Sequence, residues 1–164
     1  MPIRFVEKQR VSKDVGRWLK PLAAFEAVIL ILVMSLVLSQ ESPSSPWEWI
    51  GLIGLVVLAG GILPAILWTM QLRVRVDDRL YSVRLWPWPF KSHVPRREIR
   101  EVYTREVDPM RDYGGWGLKG KRPDLLYSLG GKKAVTVEYR RKGQTRKLTV
   151  TTERTDELLA ALSS

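Results

Sequence analysis

No Lys or Arg occurs between Pro21 and Leu72, although the chain carries 27 of them in 164 residues. Inside this gap lie two apolar stretches, Leu22–Leu38 and Ile50–Met70, separated by the polar, Pro- and Ser-rich segment SQESPSSPWE. The second holds 21 residues without a charge, and at 1.5 Å rise per residue it would extend about 31 Å, the thickness of a bilayer hydrocarbon core. The first is shorter, 17 residues or about 25 Å as a helix, and contains one acid, Glu26, about a turn inside its start. The expectation is a hairpin of two transmembrane helices over 21–72. Glu26 is read as a near-interface anchor, with proton or ion handling as the alternative.

Trp18, Trp47, Trp49 and Trp68 fall near the ends of these stretches, where amphipathic rings favour a membrane–water interface. Small residues spaced by four, at Ala23/Ala27, Ser35/Ser39 and Gly61/Ala65, permit close helix approach within the hairpin or between two copies. Pro64 is a candidate kink. Residues 1–20 carry six Lys/Arg and the residues after Leu72 the other 21, so the positive-inside rule places both termini in the cytoplasm. A competing reading makes Leu22–Leu38 the apolar region of a signal peptide cleaved after Ser39. The absence of cysteine excludes disulfides and thiol chemistry. Within 1–20, Val11, Val15, Trp18 and Leu19 recur at helical spacing among basic residues, which predicts a basic amphipathic helix lying on an anionic leaflet.

From Arg73 the pattern changes to alternation with period two. Leu72, Val74 and Val76 alternate with Arg73, Arg75 and Asp77, a turn follows, and Leu80–Trp86 continues as strand. The Pro-rich stretch Pro87–Pro95 is expected to be loop, because proline donates nothing to a ladder. Ile99–Val107 and a short piece near Trp116–Lys119 read as strands. Leu125–Leu129 and Ala134–Arg140 read as a hairpin across Gly130-Gly131, and a further hairpin turns at Lys142-Gly143. Leu158, Leu159 and Leu162 form one stripe of a C-terminal helix whose acidic first turn holds Asp156 and Glu157. The expected domain over 73–164 is a bent sheet or small barrel of about seven strands plugged by that helix.

With FVEKQR at Phe5–Arg10 and DPMRDYGGWGLKGKRPDLLYSLGG at Asp108–Gly131, the chain resembles uncharacterised bacterial two-transmembrane proteins with a cytoplasmic pleckstrin-homology-like domain. The resemblance implies that fold and a multi-pass location in a bacterial inner membrane rather than an activity, because pleckstrin-homology-like folds serve both lipid and protein binders.

Gly115–Gly120 matches G-x-G-x-x-G, but the dinucleotide fingerprint needs a preceding strand and a helix opening on it, and β structure is expected to follow here. A glycine-dependent turn beside Trp116 fits better. Catalysis has little to draw on: His93 is the one histidine, and no nucleophile triad or metal cluster is present. The reading is a non-enzyme without cofactor or metal. Charge is the remaining signal, with a net +9 after Leu72. Lys119, Lys121 and Arg122 form one cluster, Lys132 and Lys133 a second, and Arg140, Arg141, Lys142, Arg146 and Lys147 a third. With Trp116, the first two are the candidate contacts for anionic lipid or a protein partner. The expected function is therefore a membrane-anchored binding module, the alternative being an accessory subunit of a membrane complex that associates through its helices. Nucleic-acid binding is not expected, since no recognised motif is present.

Overall fold

The computed structural model describes residues 3–11, 20, 24, 26–28, 30–35, 45–58 and 63–163. They fall in two compact units, one of residues 1–14 with 70–164 and one of residues 15–69.

The second unit corrects the expected hairpin. Positions 20, 24, 26–28 and 30–35 are helical; the remainder of Leu22–Leu38 lies outside the described residues, as do residues 12–19 of the expected amphipathic helix. The stretch expected as one span is divided between helix α1 (Pro46–Val57) and helix α2 (Leu63–Thr69). Ser45 caps α1 by accepting from the Trp47 amide, and Pro46 occupies its first turn. Twelve residues of helix rise about 18 Å, short of a hydrocarbon core. Residues 59–62 of the stretch lie outside the described residues. Among the described residues no helix is long and apolar enough to cross a membrane. The transmembrane hairpin, and the multi-pass inner-membrane placement built on it, are set aside.

The first unit is a two-sheet sandwich. One sheet has the order β1-β2-β3-β4, all antiparallel, from Ile3–Arg10, Gln71–Asp77, Leu80–Trp86 and Lys91–Pro95. The other has the order β5-β8-β9-β7-β6, from Ile99–Glu106 (β5), Gly117–Lys121 (β6), Asp124–Ser128 (β7), Lys133–Arg141 (β8) and Gln144–Thr151 (β9). Alternation decides which residues enter the core: Leu72, Val74, Val76, Tyr81, Val83 and Leu85 meet Val135, Val137, Leu148 and Val150 from the opposite sheet. Burying a side chain of this kind contributes roughly 1.5–3 kcal/mol. Helix α4 (Thr155–Ser163) closes the core with Leu158, Ala161 and Leu162. Arg96 holds the C-terminal end of α4, donating to the carbonyls of Ala161 at 3.1 Å and Leu162 at 3.0 Å. At the other end, the Thr152 hydroxyl accepts from the Arg154 amide and donates to Glu7 Oε2 at 2.7 Å.

Among the described residues the sheets therefore hold nine strands where about seven were expected. Residues 3–10 are the edge strand β1, with Arg10 opposite Gln71, so the chain leaves and rejoins this sheet at paired positions. Residues 91–95 of the expected loop are β4, also an edge, where Pro95 is tolerated at the strand end. Gly130-Gly131 does not turn a hairpin. The chain steps over β9, which pairs parallel with β7 and antiparallel with β8. The tight turn at Lys142-Gly143 is present, with Arg141 opposite Gln144 and positive φ at both turn residues.

Candidate anion-binding face

The outward side of the first sheet is built by the same alternation that fills the core. Since Leu72, Val74 and Val76 point inward, Arg73 and Arg75 point outward; the same holds for Arg84 between Val83 and Leu85. Register then places residues far apart in sequence side by side. Lys8 lies opposite Arg73, Arg73 opposite Arg84, and Arg84 opposite Lys91, so a single row of cations crosses all four strands. The next row toward the β2–β3 turn is Val6, Arg75, Ser82 and His93; the row on the other side is Arg10, Gln71 and Trp86.

Like charges directly opposite one another disfavour a sheet by roughly 0.2–1 kcal/mol per pair. None of Lys8, Arg73, Arg84 and Lys91 has an ion pair among the described residues. The acids of this sheet are engaged elsewhere: Arg4 pairs with Asp78 at 2.7 Å and Asp77 accepts from the amides of Arg79 and Leu80 near the β2–β3 turn, and Glu7 accepts from the Thr152 hydroxyl. Those amides, with Arg75 adding to them, hold the Asp77 carboxyl below its ordinary range. Partial relief for the row comes from Trp86, whose ring lies 5.1 Å from the Arg84 guanidinium and 5.9 Å from that of Arg73. His93 is pushed below its ordinary value, first by burial and then by Lys91 and Arg141.

Beside this face the chain makes an aromatic turn, Trp86-Pro87-Trp88-Pro89-Phe90, closed by the Leu85 amide donating to the Phe90 carbonyl at 3.0 Å. Trp88 and Phe90 stack with ring centroids 6.2 Å apart and are 42% and 44% exposed.

The residues singled out from sequence lie on the other sheet, in two places. Lys121 and Arg122 are exposed at the β6–β7 turn, beside the β8–β9 hairpin with Arg140, Lys142 and Arg146. Lys132 and Lys133 are exposed at the opposite end, where Lys133 faces Glu106. Lys119 and Trp116 are half-buried, and the Lys119 side chain lies back over Gly115. The structure thus separates the first two clusters and brings the first near the third. Arg141 reaches the His93 carbonyl at 3.5 Å, which sets the hairpin beside the β4 edge of the basic face. Sequence reasoning missed Lys8, Arg73, Arg84 and Lys91 as a group. The signal for Arg73 and Arg84 was the basic residue at the outward position of each alternating strand, whereas Lys8 and Lys91 required the register.

The Gly-rich segment is pinned by a polar network rather than arranged around a ligand. Asp108 caps the one-turn helix α3 (Pro109–Tyr113), accepting from the amides of Met110 and Arg111, and Gly114 ends it at φ 72°. Tyr113 then reaches back over the sheet. Its hydroxyl accepts from Arg105 at 2.6 Å and donates to Asp124 Oδ2 at 2.9 Å, while Arg105 also donates to Thr149 Oγ1 at 2.9 Å. Burial, then the bond to Asp124, pushes the Tyr113 hydroxyl up. Strand β6 already includes Gly117 and Gly120, so no helix opens on the G-x-G-x-x-G match. Among the described residues no group of His, Asp and Glu is placed to hold a metal ion.

Comparison with protein-family models, with curated proteins and with solved structures found no match. The functional reading rests on the chemistry of the surfaces.

Proposed function

We propose that the protein is a non-catalytic binding module whose basic sheet face engages the headgroups of anionic lipid. One observation carries this reading: four cations in register across Lys8, Arg73, Arg84 and Lys91 without an ion pair among the described residues. A layer of phosphates laid on the row converts mutual repulsion into attraction, each Lys or Arg gaining about 1 kcal/mol near an anionic leaflet. Lipid is favoured over nucleic acid because the Trp86 ring is engaged by Arg73 and Arg84 and the sequence carries no recognised nucleic-acid-binding motif.

The test compares the full chain on vesicles of phosphatidylcholine with and without phosphatidylglycerol. The gain due to phosphatidylglycerol is expected to fall about 30-fold in an Arg73→Gln/Lys91→Gln variant, two cations at about 1 kcal/mol each. It is also expected to shrink as salt rises and screens the face. An unchanged gain in the double variant refutes the reading.

A further inference from the structure

We infer that the Trp86–Phe90 turn is a lipid-inserting tip: the rings of Trp88 and Phe90 enter the boundary between headgroups and acyl chains while the cation row lies over the phosphates. The inference rests on the reading of the basic face as a lipid-binding surface, and it assigns a separate role to a separate segment.

Three observations converge on it. The two rings are stacked on each other and both are exposed, which joins them into one apolar patch on the surface. Their turn carries Pro87 and Pro89, which narrow its backbone choices, and it is closed by the Leu85–Phe90 hydrogen bond, so the rings are presented with little ordering left to do. Its position is the third. Trp86, which opens the turn, lies against Arg73 and Arg84, so the two rings stand beside the cation row. Aromatic side chains flanked by cations are the composition expected at a lipid interface, where the ring occupies the apolar side and the charge meets the headgroup. Charge complementarity with the adjoining cation row selects an anionic bilayer as the occupant.

The chain has no cysteine, which allows a single reporter to be placed at will. Pro89→Cys puts an environment-sensitive fluorophore at the tip, and Ser82→Cys puts one on the basic face, each in the full chain. On phosphatidylcholine/phosphatidylglycerol vesicles the tip label is expected to shift to the blue and to be quenched by lipids carrying a nitroxide high on the acyl chain. The label at position 82 is expected to lose access to aqueous iodide without nitroxide quenching. A Trp88→Ser/Phe90→Ser variant should retain the salt-sensitive part of binding and lose at least tenfold at 0.5 M salt. If position 82 is protected while position 89 stays open to iodide, the tip does not insert and the inference falls with the basic-face reading intact. If neither position responds to phosphatidylglycerol, the basic-face reading itself fails. Protection of both positions by a single-stranded oligonucleotide at lower concentration than by vesicles overturns both.

Discussion

Arg73 and Arg84 stand directly opposite each other on neighbouring strands, and both guanidinium groups lie within 6 Å of the ring of Trp86. The arrangement retains charge that a free sheet would be better without, since Lys8 and Lys91 extend the row at both ends. Stability and binding are therefore expected to oppose one another on this face. Lys91→Gln, which removes an end charge not placed over the indole, should raise the stability of the β unit by about 0.2–1 kcal/mol while weakening attachment to anionic vesicles. Hydrogen exchange of the β3 amides reads the first effect and vesicle binding the second. A stability gain without a binding loss would mean that the row is only tolerated.

The same substitution at two tyrosines should have opposite signs. Tyr113 bridges Arg105 and Asp124, and Tyr113→Phe leaves both partly buried charges without that hydroxyl, a cost of about 1–3 kcal/mol seen as faster exchange in Gly117–Lys121. The Tyr81 hydroxyl is buried in the core with no hydrogen-bond partner among the described residues, and burial, then Glu7, pushes its titration far up. Tyr81→Phe removes a polar group from an apolar place and should be neutral or stabilising.

Gly114 and Gly120 provide a graded test of backbone and space. Both have positive φ, 72° and 86°, so Ala at either costs about 1–2 kcal/mol in conformation. A Cβ at Gly114 meets nothing within 4 Å, whereas one at Gly120 would stand 2.4 Å from the Asp124 carbonyl oxygen. Gly120→Ala is expected to destabilise the β6–β7 hairpin well beyond Gly114→Ala. Equal melting temperatures for the two variants would contradict the close approach.

Acid should loosen the outer face of the second sheet. Glu138 is held below its ordinary value of 4.5, first by the hydrogen bond from Lys147, with Tyr103 adding a second. A carboxylate depressed in the folded state gives stability that is present above its unfolded pKa and is lost as pH falls through the folded one. Protection of the β8–β9 amides should therefore decline below about pH 4.5, and Glu138→Gln should flatten that decline.

His93, the one histidine of the chain, gives a reporter on the basic face. Its neighbours are Arg75 and Ser82 in its row, Lys91 on its own strand and Arg141 from the β8–β9 hairpin, so protonation is disfavoured and the pKa lies below 6.5. Stability is then expected to fall as pH drops below 6.5, because the unfolded chain takes up the proton first. Anionic lipid should raise the pKa, and by linkage binding should tighten toward lower pH. An imidazole resonance that titrates identically with and without phosphatidylglycerol would exclude such contact.

Elements that signal themselves locally were legible in the sequence. The alternation around Leu72–Val76 and the Lys142-Gly143 turn need nothing beyond their neighbours, and the Leu158/Leu162 stripe is a short helical period of the same kind. Strand β1 was hidden because Glu7 and Gln9 occupy inward positions beside Phe5, satisfied by Thr152 and by the Thr151 carbonyl from the far end of the chain. Gly130-Gly131 carries the chemistry of a hairpin, and the insertion of β9 between the two strands is a non-local choice that no turn residue announces. Hydropathy over 50–70 similarly reports how apolar a segment is, not how long its helix runs. For the site the difficulty was one of grouping. Cations were gathered by adjacency along the chain, whereas the row from Lys8 to Lys91 is assembled by register across strands.

The pairing of Arg10 with Gln71 also sets a schedule for synthesis. A ribosome releases β1 long before its partner exists, and at 5–20 residues per second the wait for the intervening roughly sixty residues is about 3–12 s. During that interval Ile3–Arg10 is a lone strand with open edges, a species prone to join the wrong neighbour. Arg4, Lys8 and Arg10 give it a repulsive charge. The cations that later serve the folded face thus first keep a nascent strand unattached until β2 emerges.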